Sequence, residues 1–154
     1  MIIFKEKNAK NQYTQDCKIS TDGACYSVIQ IKDNEICYSE GNNNKISFYD
    51  LNGRRIISSI PNISKYNGER GCCLIMITKD LLLVPGDNQI SIINVNEYRL
   101  VRIIEVPGSN FIIGPCMLND NMILTGDGSK TLRQFKIEGD NLILISKKEN
   151  AHND

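Results

Sequence analysis

The residue types that carry catalysis or bind metals are few in this sequence. The single histidine, His152, lies two residues before the last one, and a nucleophile needs a base held within reach. The segments Gly86-Asp87 and Gly126-Asp127-Gly128 lack the GxxxxGK pattern of a phosphate loop and the oxygen-ligand series of an EF-hand. We therefore predict turns at these two places, no catalytic, cofactor-binding or metal-binding residue, and no enzymatic activity.

The six cysteines do not have the spacing of a metal site or of a redox motif. None forms a CxxC pair, and a single histidine leaves zinc spacing absent. On a strand the adjacent pair Cys72-Cys73 would point to opposite faces, which argues against a mutual disulfide. We predict free thiols in a cytoplasmic protein for all six, which are Cys17, Cys25, Cys37, Cys72, Cys73 and Cys116.

The composition indicates one soluble domain without a strong electrostatic field. Hydrophobic residues make up 41% of the 154 residues, and 18 basic residues balance 18 acidic ones. A balanced charge disfavours nucleic acid and anionic membranes as partners, and the basic doublets Arg54-Arg55 and Lys147-Lys148 fall at predicted strand ends. No apolar run is long enough to span a bilayer or to form a signal peptide. These features also favour a cytoplasmic location.

The sequence repeats itself three times at the spacing of β-propeller blades. The segments are EICYSEGNNNKISFYD at 35–50, LLLVPGDNQISIIN at 81–94 and NMILTGDGSKTLRQFK at 121–136. The first and third align without a gap at an offset of 86 residues, since 136 − 50 = 86. Short apolar runs broken by Asn, Asp and Gly predict strands and turns, and no helical period persists. Repeats of 40–45 residues with several strands each indicate propeller blades.

The repeats divide the chain into a single all-β domain over residues 1–154. Residues 1–19 match the third and fourth strands of a repeat and are predicted to form half a blade. Four-stranded blades are predicted at 24–60, 71–106 and 111–148, followed by a joint at 149–154. Within the third, Gly114-Pro115 interrupts the first strand, because proline cannot donate to a strand ladder.

The third strand of each repeat resembles that of the WD40 family, which ends in an aromatic residue and an aspartate. The matching segments are ISFYD at 46–50, ISIIN at 90–94 and TLRQFK at 131–136. The segment ENAHND at 149–154 is similar to the histidine-containing joint that opens a further repeat. The resemblance implies an open or partial propeller, with about three four-stranded antiparallel blades and a half blade.

The chain departs from the WD40 pattern at the positions that form the family's buried hydrogen-bond network. It has no tryptophan, and histidine is missing from the joints before all three repeats. The Ser/Thr of the network is present as Ser39 and Thr125, but Val84 replaces it in the middle repeat. We therefore expect the network to be absent and the blades to pack through apolar contact. A β-sandwich or barrel with fortuitous periodicity is the alternative fold.

The resemblance implies a non-catalytic protein-interaction scaffold, part of a larger assembly. Three and a half blades are fewer than the four to eight of closed propellers. We therefore expect a fragment of a longer propeller, or self-association that completes the ring. A purely structural part of a complex and a nucleic-acid-binding propeller are the alternatives.

The connections between blades give the candidate binding residues. They cover 20–23, 61–71 and 107–110, and the middle one is the longest. Loops on a rigid scaffold commonly carry recognition, and Tyr and Arg are enriched at interaction hot spots. We predict a protein-interaction site in this loop at Lys65, Tyr66, Glu69 and Arg70.

Overall fold

A computed structural model describes residues 1–8, 12–41, 44–63 and 73–151, except for the side chains of 4–8 and 12–17. Every regular element in these ranges is a strand. None of the described residues belongs to a helix long and apolar enough to cross a membrane. The strands are β1 (Ile2–Asn8), β2 (Gln12–Lys18), β3 (Cys25–Lys32), β4 (Glu35–Glu40), β5 (Lys45–Asp50), β6 (Arg55–Ile60), β7 (Ile75–Met76), β8 (Leu81–Pro85), β9 (Gln89–Asn94), β10 (Arg99–Glu105), β11 (Ile112–Asn119), β12 (Met122–Asp127), β13 (Leu132–Glu138) and β14 (Asn141–Lys148).

The strands form three four-stranded antiparallel sheets and one two-stranded sheet, as the repeats predict. Strands β3 to β6 form the first blade, β7 to β10 the second and β11 to β14 the third, each paired in chain order. Strands β1 and β2 pair with each other alone. No described strand is shared between two of these sheets, which rules out the barrel alternative.

The first strands of the second and third blades differ from the sequence-based expectation. Strand β7 has only two residues, Ile75 and Met76, where a strand over 72–77 is expected. Strand β11 instead continues through Gly114 and Pro115, which lie in a bulge between Ile113 and Cys116. Gly114 has a φ of 53°, so the bulge places proline where no ladder hydrogen bond is required.

Apolar residues on both faces of the blades pack the sheets in series. We call the face of a blade toward the preceding sheet its front face and the opposite one its rear face. One cluster joins β1–β2 to the first blade, a second joins the first and second blades, and a third joins the second and third. Strands β4, β5, β8 and β9 are therefore buried on both faces, whereas burial alternates along β12 because only its front face is covered.

The structure corrects the alignment of the first and third repeats by one residue in their second strands. Ile36 pairs with Tyr49 on the front face of the first blade, and Ile123 pairs with Phe135 on that of the third. A constant offset of 86 residues instead aligns Met122, and not Ile123, with Ile36. The turn after Glu40 is one residue longer than the turn after Asp127, which causes the difference. Since a one-residue slip exchanges the two faces of a strand, the gapless alignment is wrong there.

The position that is acidic in the WD40 pattern closes a turn in two blades. The Asp50 carboxylate accepts a hydrogen bond from the Asn52 amide at 3.0 Å. The Asn94 side chain accepts from the amides of Asn96 and Glu97 at 2.9 and 3.1 Å. Short polar side chains often stabilise turns in this way. These residues therefore fix the connections to β6 and β10.

Candidate interaction surface

A buried carboxylate fastens the first blade to the connection that precedes it. Glu40, at the end of β4, is 2% exposed and accepts a hydrogen bond from the Asp22 backbone amide at 3.1 Å. It also accepts from the Ser47 hydroxyl at 2.9 Å and pairs with the Lys45 ammonium at 3.2 Å. Because a buried charge is costly unless it is paired, this network fixes residue 22 against the blade.

In the second blade, neutral groups fasten the blade to the connection that precedes it. The Ser91 hydroxyl and the Gln89 amide of β9 both donate to the Ile63 carbonyl, at 2.8 and 3.1 Å. Ile63 itself is 1% exposed and belongs to the cluster between the first two blades. The loop over 61–71 is therefore anchored at residue 63.

An ion pair fastens the third blade to the connection that precedes it. Arg133 and Asp127 form a salt bridge in which both side chains are at most 1% exposed. The Arg133 guanidinium also donates to the Gly108 carbonyl at 3.1 Å. Asp127 accepts from the Ser129 amide and hydroxyl, both at 2.8 Å. Burial lowers the pKa of Arg133, and the charge of Glu149 acts in the opposite direction.

These three anchors correct the expectation that the blades pack through apolar contact alone. Each blade binds the backbone of the preceding connection, at Asp22, Ile63 or Gly108, through polar side chains on its front face. In the register of the structure, Glu40 and Asp127 occupy equivalent positions. The gapless alignment set them one residue apart, which concealed this relation. The groups that bind these backbone positions include the buried side chains of Glu40, Ser91 and Arg133, so their role is structural.

The ends of the strands that lie opposite the three anchors form a groove that spans all three blades. Its volume is about 730 Å³, and the ends of β3, β7 and β11, the first strands of the three blades, line it. Apolar side chains from all three blades contribute, namely Ile31, Met76, Ile77, Met117 and Leu118. Its polar lining consists of Thr78, Lys79, Asn119 and Asp120. Leu118 is 49% exposed, so an apolar side chain is open to a partner there.

A cluster of three polar side chains joins the first and second blades at this same end. The Tyr98 hydroxyl donates to the Glu35 carboxylate at 2.8 Å and accepts from the Lys32 ammonium at 3.3 Å. Lys32 also pairs with Glu35 at 3.1 Å and lies 5.0 Å from the centre of the Tyr98 ring. Burial alone lowers the pKa of Lys32, but the hydrogen bonds to Glu35 and Tyr98 raise it overall. The cluster stabilises the contact between the blades.

We expect the protein to lose stability at alkaline pH. Burial raises the pKa of the Cys25 thiol and of the Tyr38 and Tyr98 phenols, and the hydrogen bond to Glu35 adds to the shift at Tyr98. The folded state then holds these protons more tightly than the unfolded state. Their stabilisation is complete below the unfolded pKa values, about 8.5 to 10, and is lost as the pH rises through the higher folded values.

Urea unfolding followed by circular dichroism from neutral pH to pH 11 measures this effect. The free energy of unfolding should stay level up to about pH 8.5 and then fall. The variant Tyr98→Phe should show a shallower fall, because it has one fewer of these protons to lose. A level or rising free energy throughout the alkaline range would contradict the assignment of these shifts.

The predicted interaction residues Lys65, Tyr66, Glu69 and Arg70 lie outside the described residues. The structure describes their loop only as far as residue 63. Within the described ranges no three His, Cys, Asp or Glu side chains come together as a metal site. The groove was not found by sequence reasoning, because its residues lie at the ends of strands 40 residues apart. Apolar residues beside the turns after β7 and β11 were the available signal.

Comparison with known proteins supports the fold and no closer relationship. No family model matches the chain, and no curated protein matches it. It is similar to the solved structure of U3-55K, a WD40 β-propeller protein, with a TM-score of 0.66 and 11% sequence identity. The match covers 85% of this chain and 41% of that one, so this chain spans less than half the length of U3-55K. The chain has the all-β fold of a partial WD40-like propeller, with three four-stranded antiparallel blades.

Proposed function

We propose that this chain is a non-catalytic protein-interaction scaffold that works as part of a larger assembly. The groove carries the proposal, because it joins apolar side chains from three rigid blades at one open surface. Concave sites with an apolar interior and a few polar groups are where binding concentrates. The similarity to a WD40 propeller favours a scaffold role in a complex.

The lining of the groove favours a protein segment as its ligand. Met76 and Met117 have flexible side chains that adapt to different apolar partners. Lys79 and Asp120 supply one charge of each sign, which suits polar contacts around an apolar centre. A nucleic acid would require a basic surface, and the chain carries no net charge. The favoured ligand is therefore a peptide segment that inserts an apolar side chain.

Affinity capture from a lysate of the source organism tests the groove. The wild-type chain should retain a defined set of proteins, and Leu118→Glu should lose it, because a carboxylate would have to be buried without a partner. Ile103→Glu is the matched control, since Ile103 is 47% exposed against 49% for Leu118 and lies outside the groove. Both variants should keep the wild-type circular dichroism spectrum. Equal capture by the two variants would remove the groove from the proposal.

The loop over 61–71 is a second candidate surface in the same assay. Its anchor at Ile63 lies at the end of the strands opposite the groove, so the two surfaces can be tested independently. The double variant Tyr66→Ala/Arg70→Ala should weaken capture, by about 1–2 kcal/mol for each anchor residue. Unchanged capture by this variant would exclude the loop, and no capture by the wild-type chain would favour a purely structural part of a complex.

A cytoplasmic location is part of the proposal. Cys25, Cys37, Cys73 and Cys116 carry thiols that are in no disulfide. Thiols persist in the reducing cytosol and are oxidised in secreted proteins. A thiol count on the unfolded chain without reductant should give six, and a count of four or fewer would contradict this location.

A further inference from the structure

The rear face of the third blade is apolar and uncovered. The side chains of β12 that face forward, Ile123, Thr125 and Asp127, are at most 1% exposed, while Met122 and Leu124 on the rear are only half-buried. Ile143 and Ile145 of β14 are 39% and 48% exposed. Ile143 pairs with Lys136 on this face, and Ile145 lies with Met122 beside a surface cavity of about 490 Å³. Ile113 of β11 pairs with Gly126 on the same face and is 40% exposed. We call Ile113, Ile143 and Ile145 the rear flank.

The opposite end of the series also exposes aliphatic side chains. Val28 of β3 pairs with Tyr38 on the front face of the first blade but is 49% exposed, so β1–β2 leaves this position uncovered. Ile2 of β1 is 48% exposed, whereas Met1 and Ile3 pack against the first blade. We call Ile2 and Val28 the front flank.

The contacts inside the chain indicate what fits these two flanks. The rear of the first blade packs on the front of the second, and the rear of the second packs on the front of the third. The rear flank therefore matches a front face, and a second copy of the chain offers one at its front flank. We propose that two copies associate with the rear flank of each against the front flank of the other.

The size and charge of the flanks agree with such a dimer. Four strands about 4.8 Å apart, with about six residues of 3.3 Å each, give a face of roughly 20 by 20 Å. Because β1–β2 has two strands, two contacts between such a face and the front flank bury at most about 1,600 Å², the size of a standard specific interface. The chain has no net charge, and Lys136 on the rear flank side is paired with Glu138 at 2.7 Å, so like-charge repulsion between copies is small.

Size-exclusion chromatography with light scattering on the 154-residue chain tests the dimer. The wild type should have twice the mass of 17.4 kDa at micromolar concentrations. The rear variant Ile143→Lys/Ile145→Lys and the front variant Ile2→Lys/Val28→Lys should each raise the dissociation constant about tenfold or more, because unpaired charges enter the contact. The control Ile57→Lys/Ile103→Lys changes equally exposed isoleucines of β6 and β10 and should remain a dimer.

Mixing the two variants tests the pairing of rear with front. The rear variant has an intact front flank and the front variant an intact rear flank, so together they should form one native contact and recover a mixed dimer. A rear-to-rear dimer would not recover on mixing. A monomeric wild type, a rear variant that still dimerises, or a mixture that stays monomeric would each overturn the proposal. Unchanged circular dichroism spectra of the variants establish that folding is intact.

Discussion

Asp127→Asn should lower the free energy of unfolding by about 3–5 kcal/mol, the cost of removing one partner from a buried ion pair. Both side chains of the Asp127–Arg133 pair are at most 1% exposed. The substitution leaves the Arg133 guanidinium buried without its counter-charge, and it weakens the acceptor of the Ser129 amide and hydroxyl. The connection at Gly108, which Arg133 binds, should loosen with it.

Urea unfolding monitored by far-ultraviolet circular dichroism measures this loss, since the chain has no tryptophan for fluorescence. Glu97→Gln is the control, because Glu97 pairs with Arg99 while both side chains are about half exposed. Such a surface pair contributes about 1 kcal/mol or less. The double variant Asp127→Asn/Arg133→Met should recover part of the loss, since no unpaired charge then remains buried. A loss at Asp127 no larger than that at Glu97 would contradict the anchor.

Phe48→Ala should lower the free energy of unfolding by about 3–5 kcal/mol, because it opens a cavity in a close-packed core. Phe48 is 0% exposed in the cluster between the first and second blades. Its ring meets the Tyr98 ring edge to face, with the centroids 5.1 Å apart. The cavity would lie between two blades, so the loss measures how strongly one blade stabilises the next.

Ile56→Ala is the control for Phe48, because Ile56 is 50% exposed on the outer strand of the same blade. It should change the free energy of unfolding by about 0.5 kcal/mol or less. If the blades stabilise each other, Phe48→Ala should shift one cooperative transition to lower urea concentration. A second transition, with the rest of the chain as stable as before, would instead mean that the blades unfold independently.

The sequence predicts the blades well because their strands carry a strong local pattern. Alternating apolar runs bounded by turn residues are visible without knowledge of the packing, and the blades that they predict at 24–60, 71–106 and 111–148 each contain the four strands of one sheet. Strand β7 is shorter than predicted, since apolar character alone does not set where pairing ends. The bulge at Gly114 and Pro115 likewise depends on the neighbouring strand β12.

The anchors and the groove depend on contacts between residues far apart in sequence. Glu40 and Asp127 become equivalent only when the turns after β4 and β12 are given different lengths. A gapless alignment of the apolar residues of the two repeats cannot show that difference in turn length. The anchor at Ile63 is a backbone carbonyl, which no side-chain pattern reveals. The groove joins Ile31, Met76 and Leu118, whose proximity follows from the order of the blades.

Site-specific photocrosslinking in the source lysate tests the central claim, that partners bind in the groove, most directly. A photoreactive phenylalanine analogue replaces Leu118 in one sample and Ile103 in another, two side chains of nearly equal exposure. The groove account predicts a discrete crosslinked protein from position 118 and none from position 103. The same protein captured equally from both positions, or a crosslink from position 103 alone, would contradict it.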